Sequence, residues 1–212
     1  MGQLIQKHKF HWSQRAFAIS VVLGLLFLTI SLIINYNAGV YATANASNAV
    51  TDILLDRLPV WDVDFVFIDG ALFFILFMAT LLAYKPQYIP FVLKSAALFI
   101  IIRSVFVMLT HIGPVTQTSP LIINNINKFF IFGGDLFFSG HTGLPYLMAL
   151  IFWDQKILRG IFIFISIFAA ATVLLGHLHY SIDVFAAFFI TYAIFHIAER
   201  LFRRDYEYVL KA

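Results

Sequence analysis

Apolar residues fall along this chain in long blocks separated by shorter polar stretches. Crossing about 30 Å of hydrocarbon at about 1.5 Å per residue takes roughly 20 apolar residues in a helix. Six blocks meet or approach that length, at 16–36, 65–84, 89–112, 136–153, 157–175 and 184–202. The fourth is the weakest: Gly140, Gly143 and Pro145 interrupt it, as in a helix that begins at a functional site. Residues 37–64 are polar and hold four aspartates, which predicts a loop with a short amphipathic helix near 49–58. A second long loop, 113–135, is marked by Gly113, Pro114, Pro120, Gly133 and Gly134. The pattern predicts an all-α polytopic bundle of six transmembrane helices, one membrane domain over 1–212.

Composition supports a lipid solvent. Hydrophobic residues make up 61% of the 212 and charged residues 12%, against about 25% charged in soluble domains. Such an apolar excess cannot be hidden in one water-soluble core. The absence of cysteine removes disulfides, thiolate nucleophiles and zinc–sulfur sites. A scattered formal charge of +3 gives nucleic acid no footprint.

Lys and Arg flanking membrane spans stay in the cytoplasm. Lys7, Lys9, Arg15, Lys85, Lys156, Arg159, Arg200, Arg203, Arg204 and Lys211 fall on one side, and only Arg57 and Lys128 on the other. Ten against two predicts cytoplasmic termini, with the loops 37–64, 113–135 and 176–183 facing outward. Trp12 and Trp153 fall at predicted inner interfaces and Trp61 at an outer one. The rival reading, a cleavable signal peptide ending near 42–46, has an apolar core longer than the roughly 7–15 residues of a signal.

Ionisable groups in membrane spans are costly, so each is a functional candidate. Ser139-Gly140-His141-Thr142 opens the fourth helix, and the run from His177 to Asp183 opens the sixth, both on the predicted outer side. His179 and Asp183 are four apart and share a helical face. A carboxylate there can accept the proton of one imidazole nitrogen and leave the other as nucleophile or base. The two helix N-termini offer N–H groups to an anion, and Arg103 offers a guanidinium fork. Bland readings stand beside these. His179 and Asp183 could be a packing pair; His141, His177, His179 and Asp183 could surround zinc; Arg103 could pair with a carboxylate such as Asp69. His177, His111 and His196 read as structural or interfacial, Lys94 as snorkelling to the inner interface, and Asp135 as either a loop cap or a partner for a cationic head group.

GGDLFFSGHT (133–142) and HLHYSIDV (177–184) closely resemble the last two motifs of the sphingomyelin synthase family, within the type 2 phosphatidic acid phosphatase superfamily of six-helix membrane bundles. RSVFVMLTHIGP (103–114) resembles a divergent copy of the preceding motif, and DILLDRLP (52–59) the first more faintly. The resemblance implies that His179 is the nucleophile, Asp183 orients it, and His141 is the acid and base on the leaving and entering oxygens. It asks for no metal and no other cofactor. The phosphatases of that superfamily usually carry a Lys–Arg pair seven residues apart and an Arg six before the last histidine. Here Lys94 and Arg103 are nine apart and position 173 is valine, so the cradle is cation-poor.

The expected function is therefore transfer of a phospho-head group from a phospholipid donor to a lipid alcohol or water through a phosphohistidine. Arg103, Ser139, Gly140, Asp135 and Tyr180 are the expected substrate contacts. A lipid phosphate phosphatase and a non-catalytic lipid-binding or transport protein are the alternatives. Aspartates at 52, 56, 62, 64 and 135 in the outer loops disfavour dianionic phosphatidate and favour phosphatidylethanolamine or phosphatidylcholine as donor.

Overall fold

A computed structural model describes residues 2–121 and 134–211, apart from the Gln3 side chain. Lys128 and Gly133 lie outside the described residues. Among the described residues, eight α-helices follow one another: α1 Gly2–Trp12, α2 Arg15–Ala44, α3 Asp64–Tyr84, α4 Ile89–Leu109, α5 Gly140–Ile151, α6 Lys156–Leu175, α7 Ser181–Leu201 and α8 Arg203–Leu210. Among the described residues there is no strand.

Among the described residues, five helical segments are long and apolar enough to cross a membrane: α2, α3, α4 with its preceding turn, α6 and α7. These make the chain an integral membrane protein. The fourth expected span, 136–153, is helical only over the 12 residues of α5, about 18 Å, short of the length of a spanning helix by itself. Its predicted first turn is instead an irregular segment that ends at Ser139, whose hydroxyl accepts the Thr142 N–H at 3.4 Å.

Two further expectations need correction. α2 does not end near Tyr36 but runs to Ala44. The polar side chains of its last turns satisfy themselves on their own helix: Asn37 donates to Ile33 O, Thr43 to Gly39 O and Asn45 to Tyr41 O, at 2.7–2.8 Å. The amphipathic helix expected near 49–58 is only a 3-10 turn, Leu55–Arg57. Asp52 Oδ1 competes for the backbone there, accepting the N–H groups of Leu54 at 2.9 Å and Leu55 at 3.2 Å.

α1, the 3-10 turn Pro86–Tyr88 and α8 meet at one end of the bundle. Lys94 does not snorkel. Its Nζ lies 2.6 Å from Asp205 Oδ2 and 2.6 Å from Ser20 Oγ, fastening α8 to α4 and α2. The buried core joins α4, α5, α6 and α7 through Phe91, Phe99, Leu147, Phe162 and Ile194. Apolar surfaces gain little from hiding from one another in lipid, so close packing must hold these helices together. Gly143 permits it: a Cβ there would sit 2.7 Å from the Phe99 ring and 2.9 Å from Thr191 Oγ1. α3 is different. Met78 is its one buried residue, and the room left between α3, α5 and α6 becomes a cavity.

Candidate active site

At the end of the bundle opposite the termini, α4, α5 and α7 bring the motif residues together. Arg103 rises from α4 and is buried. Its Nη1 lies 2.7 Å from Asp135 Oδ1 and 3.0 Å from Oδ2. Its Nε donates to the Phe138 carbonyl at 2.9 Å. The carboxylate that pairs with Arg103 is thus Asp135 and not Asp69. Phe138 has φ 34°, a left-handed conformation costly for a bulky residue. It aims that carbonyl at the guanidinium just before α5 begins.

His179 Nδ1 lies 2.8 Å from the Leu136 carbonyl oxygen. A carbonyl can only accept, so the ring carries its proton on Nδ1 and Nε2 keeps a lone pair. Asp183, expected to take that proton directly, stands farther off, with Oδ2 3.6 Å from Nδ1. Its Oδ2 accepts the Tyr180 N–H at 2.9 Å, closing the N-terminus of α7. Its Oδ1 is buried without a hydrogen-bond partner among the described residues. The imidazole is oriented by the main chain, with the carboxylate one step behind.

His141, the second residue of α5, stacks on Phe67 of α3 with ring centroids 4.0 Å apart and planes at 27°. The expected anion sites at two helix N-termini come out differently. That of α7 is occupied: the Ser181 N–H donates to Asp52 Oδ2 at 2.7 Å. That of α5 is open, since only its third N–H is capped, by Ser139. The Gly140 and His141 N–H groups find no acceptor among the described residues. A Cβ on Gly140 would approach Arg103 Nε to 3.4 Å, so these donors and the guanidinium share one corner.

Arg103, Asp135, Gly140, His141, His177 and His179 all line a cavity of about 620 Å³. Its remaining wall is largely apolar, with Phe67, Phe74 and Ile75 from α3, Leu144 from α5, and Ile165 and Phe168 from α6. Ser139 and Tyr180 do not reach it. Ser139 is the helix cap. The Tyr180 hydroxyl donates to Gly113 O at 2.9 Å and accepts from Val50 N at 3.2 Å, pinning the 45–63 strap across α7. His177, at φ 52°, donates from Nε2 to Leu58 O at 3.2 Å and fastens the same strap. Among the described residues, no three His, Asp or Glu side chains converge as a metal site requires.

Three contributors were not visible as site residues in the sequence. Leu136 acts through its carbonyl, which no side-chain pattern reveals. Phe67 is one of 25 phenylalanines and nothing local marks it. Asp52 lay in the faintest motif, and its partner Ser181 is 129 positions away.

With this geometry in view, one comparison bears on it. Residues 133–200 match the family model of the PAP2 superfamily C-terminal domain. The matched region runs from the Asp135 turn through α5 and α6 into the last turn of α7, and it contains His141, His179 and Asp183. It covers about a third of the chain and supports the PAP2 superfamily, whose members are phosphatases or phosphotransferases. No curated protein and no solved structure gave a match.

Proposed function

We propose that this protein is a lipid head-group phosphotransferase of the sphingomyelin synthase-like kind, working without metal through a phosphohistidine. The observation that carries the reading is the Leu136 carbonyl on His179 Nδ1, which leaves Nε2 as a nucleophile beside His141 and Arg103 at the polar end of an apolar cavity. Nε2 attacks phosphorus, and the bond from phosphorus to the diacylglycerol oxygen breaks. Protonated His141 gives its proton to that oxygen, and diacylglycerol departs. Neutral His141 then takes the proton of an incoming hydroxyl, whose oxygen attacks phosphorus while the phosphorus–nitrogen bond breaks. Developing charge on the phosphoryl oxygens meets Arg103 and the free N–H groups of α5. Asp183 faces the imidazole from 3.6 Å and balances its positive charge while phosphorus is attached.

Arg103 is matched by Asp135, so among the described residues the cradle has no surplus cation to offer a dianion. That balance fits a phosphodiester whose head group ends in a cation, with phosphate towards Arg103 and ammonium towards Asp135. Phosphatidylethanolamine or phosphatidylcholine is the donor, and ceramide or another lipid alcohol the acceptor, with water as the default. The ten-to-two distribution of basic residues supports a reading in which the termini are cytoplasmic and the site faces the opposite side. The test is turnover of phosphatidate against phosphatidylethanolamine and phosphatidylcholine in matched micelles, scoring diacylglycerol, free phosphate and new phospholipid. Faster consumption of the diesters is expected. Much faster consumption of phosphatidate makes the protein a phosphatase, and consumption of none leaves a lipid-binding role.

A further inference from the structure

α2 carries an amide, Asn35, at the end of the apolar stretch of a helix able to cross a membrane. A polar group there costs free energy unless something polar meets it. Its protein neighbour is Ser104 of α4, a fully buried residue whose Oγ lies 3.4 Å from Asn35 Oδ1. The same hydroxyl donates at 2.8 Å to the Ile100 carbonyl. A serine hydroxyl has one proton, and Ile100 holds it at the shorter distance, so Ser104 can offer Asn35 only a lone pair. The amide is therefore better oriented with its nitrogen towards Ser104. This leaves its oxygen and its second N–H without a partner among the described residues.

Those free atoms belong to a residue that lines the same cavity as Arg103, His141 and His179. The depth is informative. Thr43 of α2 accepts the Gly134 N–H at 3.1 Å, level with the segment that carries Asp135. Asn35 is eight residues further down α2, about 12 Å along the helix axis. A phospholipid with its phosphorus at His179 carries its next polar atoms, the ester carbonyls, on the hydrocarbon side of the phosphate. Among the described residues that line the cavity, Asn35 offers a polar group on that side.

We propose that Asn35 is a specificity-determining contact, its free N–H donating to an ester carbonyl of the glycerolipid donor. This rests on the lipid reading of the cavity and extends it from head group to backbone. It predicts discrimination between ester-linked and ether-linked lipids, because an ether lacks the carbonyl acceptor and leaves the N–H unmet.

The experiment measures binding, so that it does not depend on the chemistry at His179. Diacyl and dialkyl phosphatidylcholine of equal chain length are titrated into the purified full chain in detergent, wild type beside Asn35→Leu. Wild type is expected to hold the diacyl lipid about three- to tenfold more tightly, the size of one hydrogen bond. In Asn35→Leu that ratio should fall to near one, and the apolar substitution suits a lipid-facing helix. Asn35→Ala serves as the second variant should the leucine crowd the cavity. An unchanged ratio in the variants, or no preference in wild type, overturns the proposal, as does failure of either lipid to bind. Failure of the bound lipid to turn over, with the ratio shift intact, counts against the phosphotransferase reading alone.

Discussion

His179 is held by Leu136 through a 2.8 Å hydrogen bond from Nδ1 to the main-chain carbonyl. The acceptor belongs to the segment that also places Asp135 on Arg103 and leads into α5. The candidate nucleophile, its cationic partner and the helix bearing His141 are thus positioned by one short stretch of backbone. No side-chain substitution at Leu136 deletes that acceptor, whereas displacement of the segment removes all three relationships at once.

The three motif residues should separate by what each variant loses. His179→Ala is expected to abolish turnover with little change in melting. His141→Ala should cost orders of magnitude in turnover, because the members of such a unit act together. Asp183→Ala should lose turnover and stability alike, since the Tyr180 N–H loses its acceptor; lost caps of this kind cost about 0.5–2 kcal/mol. Turnover and thermal unfolding of each variant in detergent check this. Full activity in His179→Ala refutes the phosphohistidine, and so does loss on chelation that zinc restores.

Asp52 predicts a pH dependence of stability. Burial pushes its carboxyl up, but the Ser181 N–H and hydroxyl and the N–H groups of Leu55 and Leu54 outweigh that and hold it below its ordinary 3.8. A carboxylate with a lowered folded pKa contributes stability above its unfolded value and loses it as pH falls through the folded one. Wild type should therefore melt above Asp52→Asn at about pH 7, and the gap should close in acid below about 3.8. Paired melting curves decide it, and a gap that persists or widens in acid is the contrary result.

Phe67 predicts a kinetic effect without a structural one. It stacks on His141 from a helix that has little else buried. Phe67→Ala should lower turnover by about tenfold, equal to about 1.4 kcal/mol and near the upper end for an aromatic pair. Melting should hardly move. A fall in melting temperature that accounts for the lost activity would show a merely structural contact.

The membrane orientation can be read with single cysteines in a chain that has none. Ile53 lies exposed in the strap near the site, and Leu210 lies exposed in α8 at the other end. An impermeant thiol reagent on intact cells should label Ile53→Cys and spare Leu210→Cys until the cells are opened. The reverse pattern inverts the proposed orientation.

Much of this architecture is written in strings of apolar residues, and the blocks of α3, α4 and α6 are legible to within a few positions. α2 outruns its apolar block because Asn37, Thr43 and Asn45 bond back to their own helix, which a polarity pattern reads as loop. α5 falls short because an apolar residue such as Phe138 can serve a turn through its carbonyl. The histidines that line the cavity stand out in the sequence because ionisable groups are rare in spans. The Leu136 and Asp52 contacts were not, since both join positions that only the folded chain makes neighbours. Asn35, an uncharged amide at the end of an apolar block, falls outside that rule.

α3 has the cavity on one side and, through Phe67, a ring against His141; Phe74 and Phe77 lean on Phe162, but Met78 is its one buried residue. Elements with so few buried contacts move at low free-energy cost, without the rest of the structure opening. Collective helix motions of this kind run from microseconds to milliseconds. Swings of α3 would then set how fast lipids exchange, and the surrounding acyl chains would damp them. The consequence is a clock set by the bilayer: turnover in vesicles should slow more steeply on passing from fluid to gel phase than turnover in detergent does over the same interval. Equal slowing in both would show α3 to be a fixed wall.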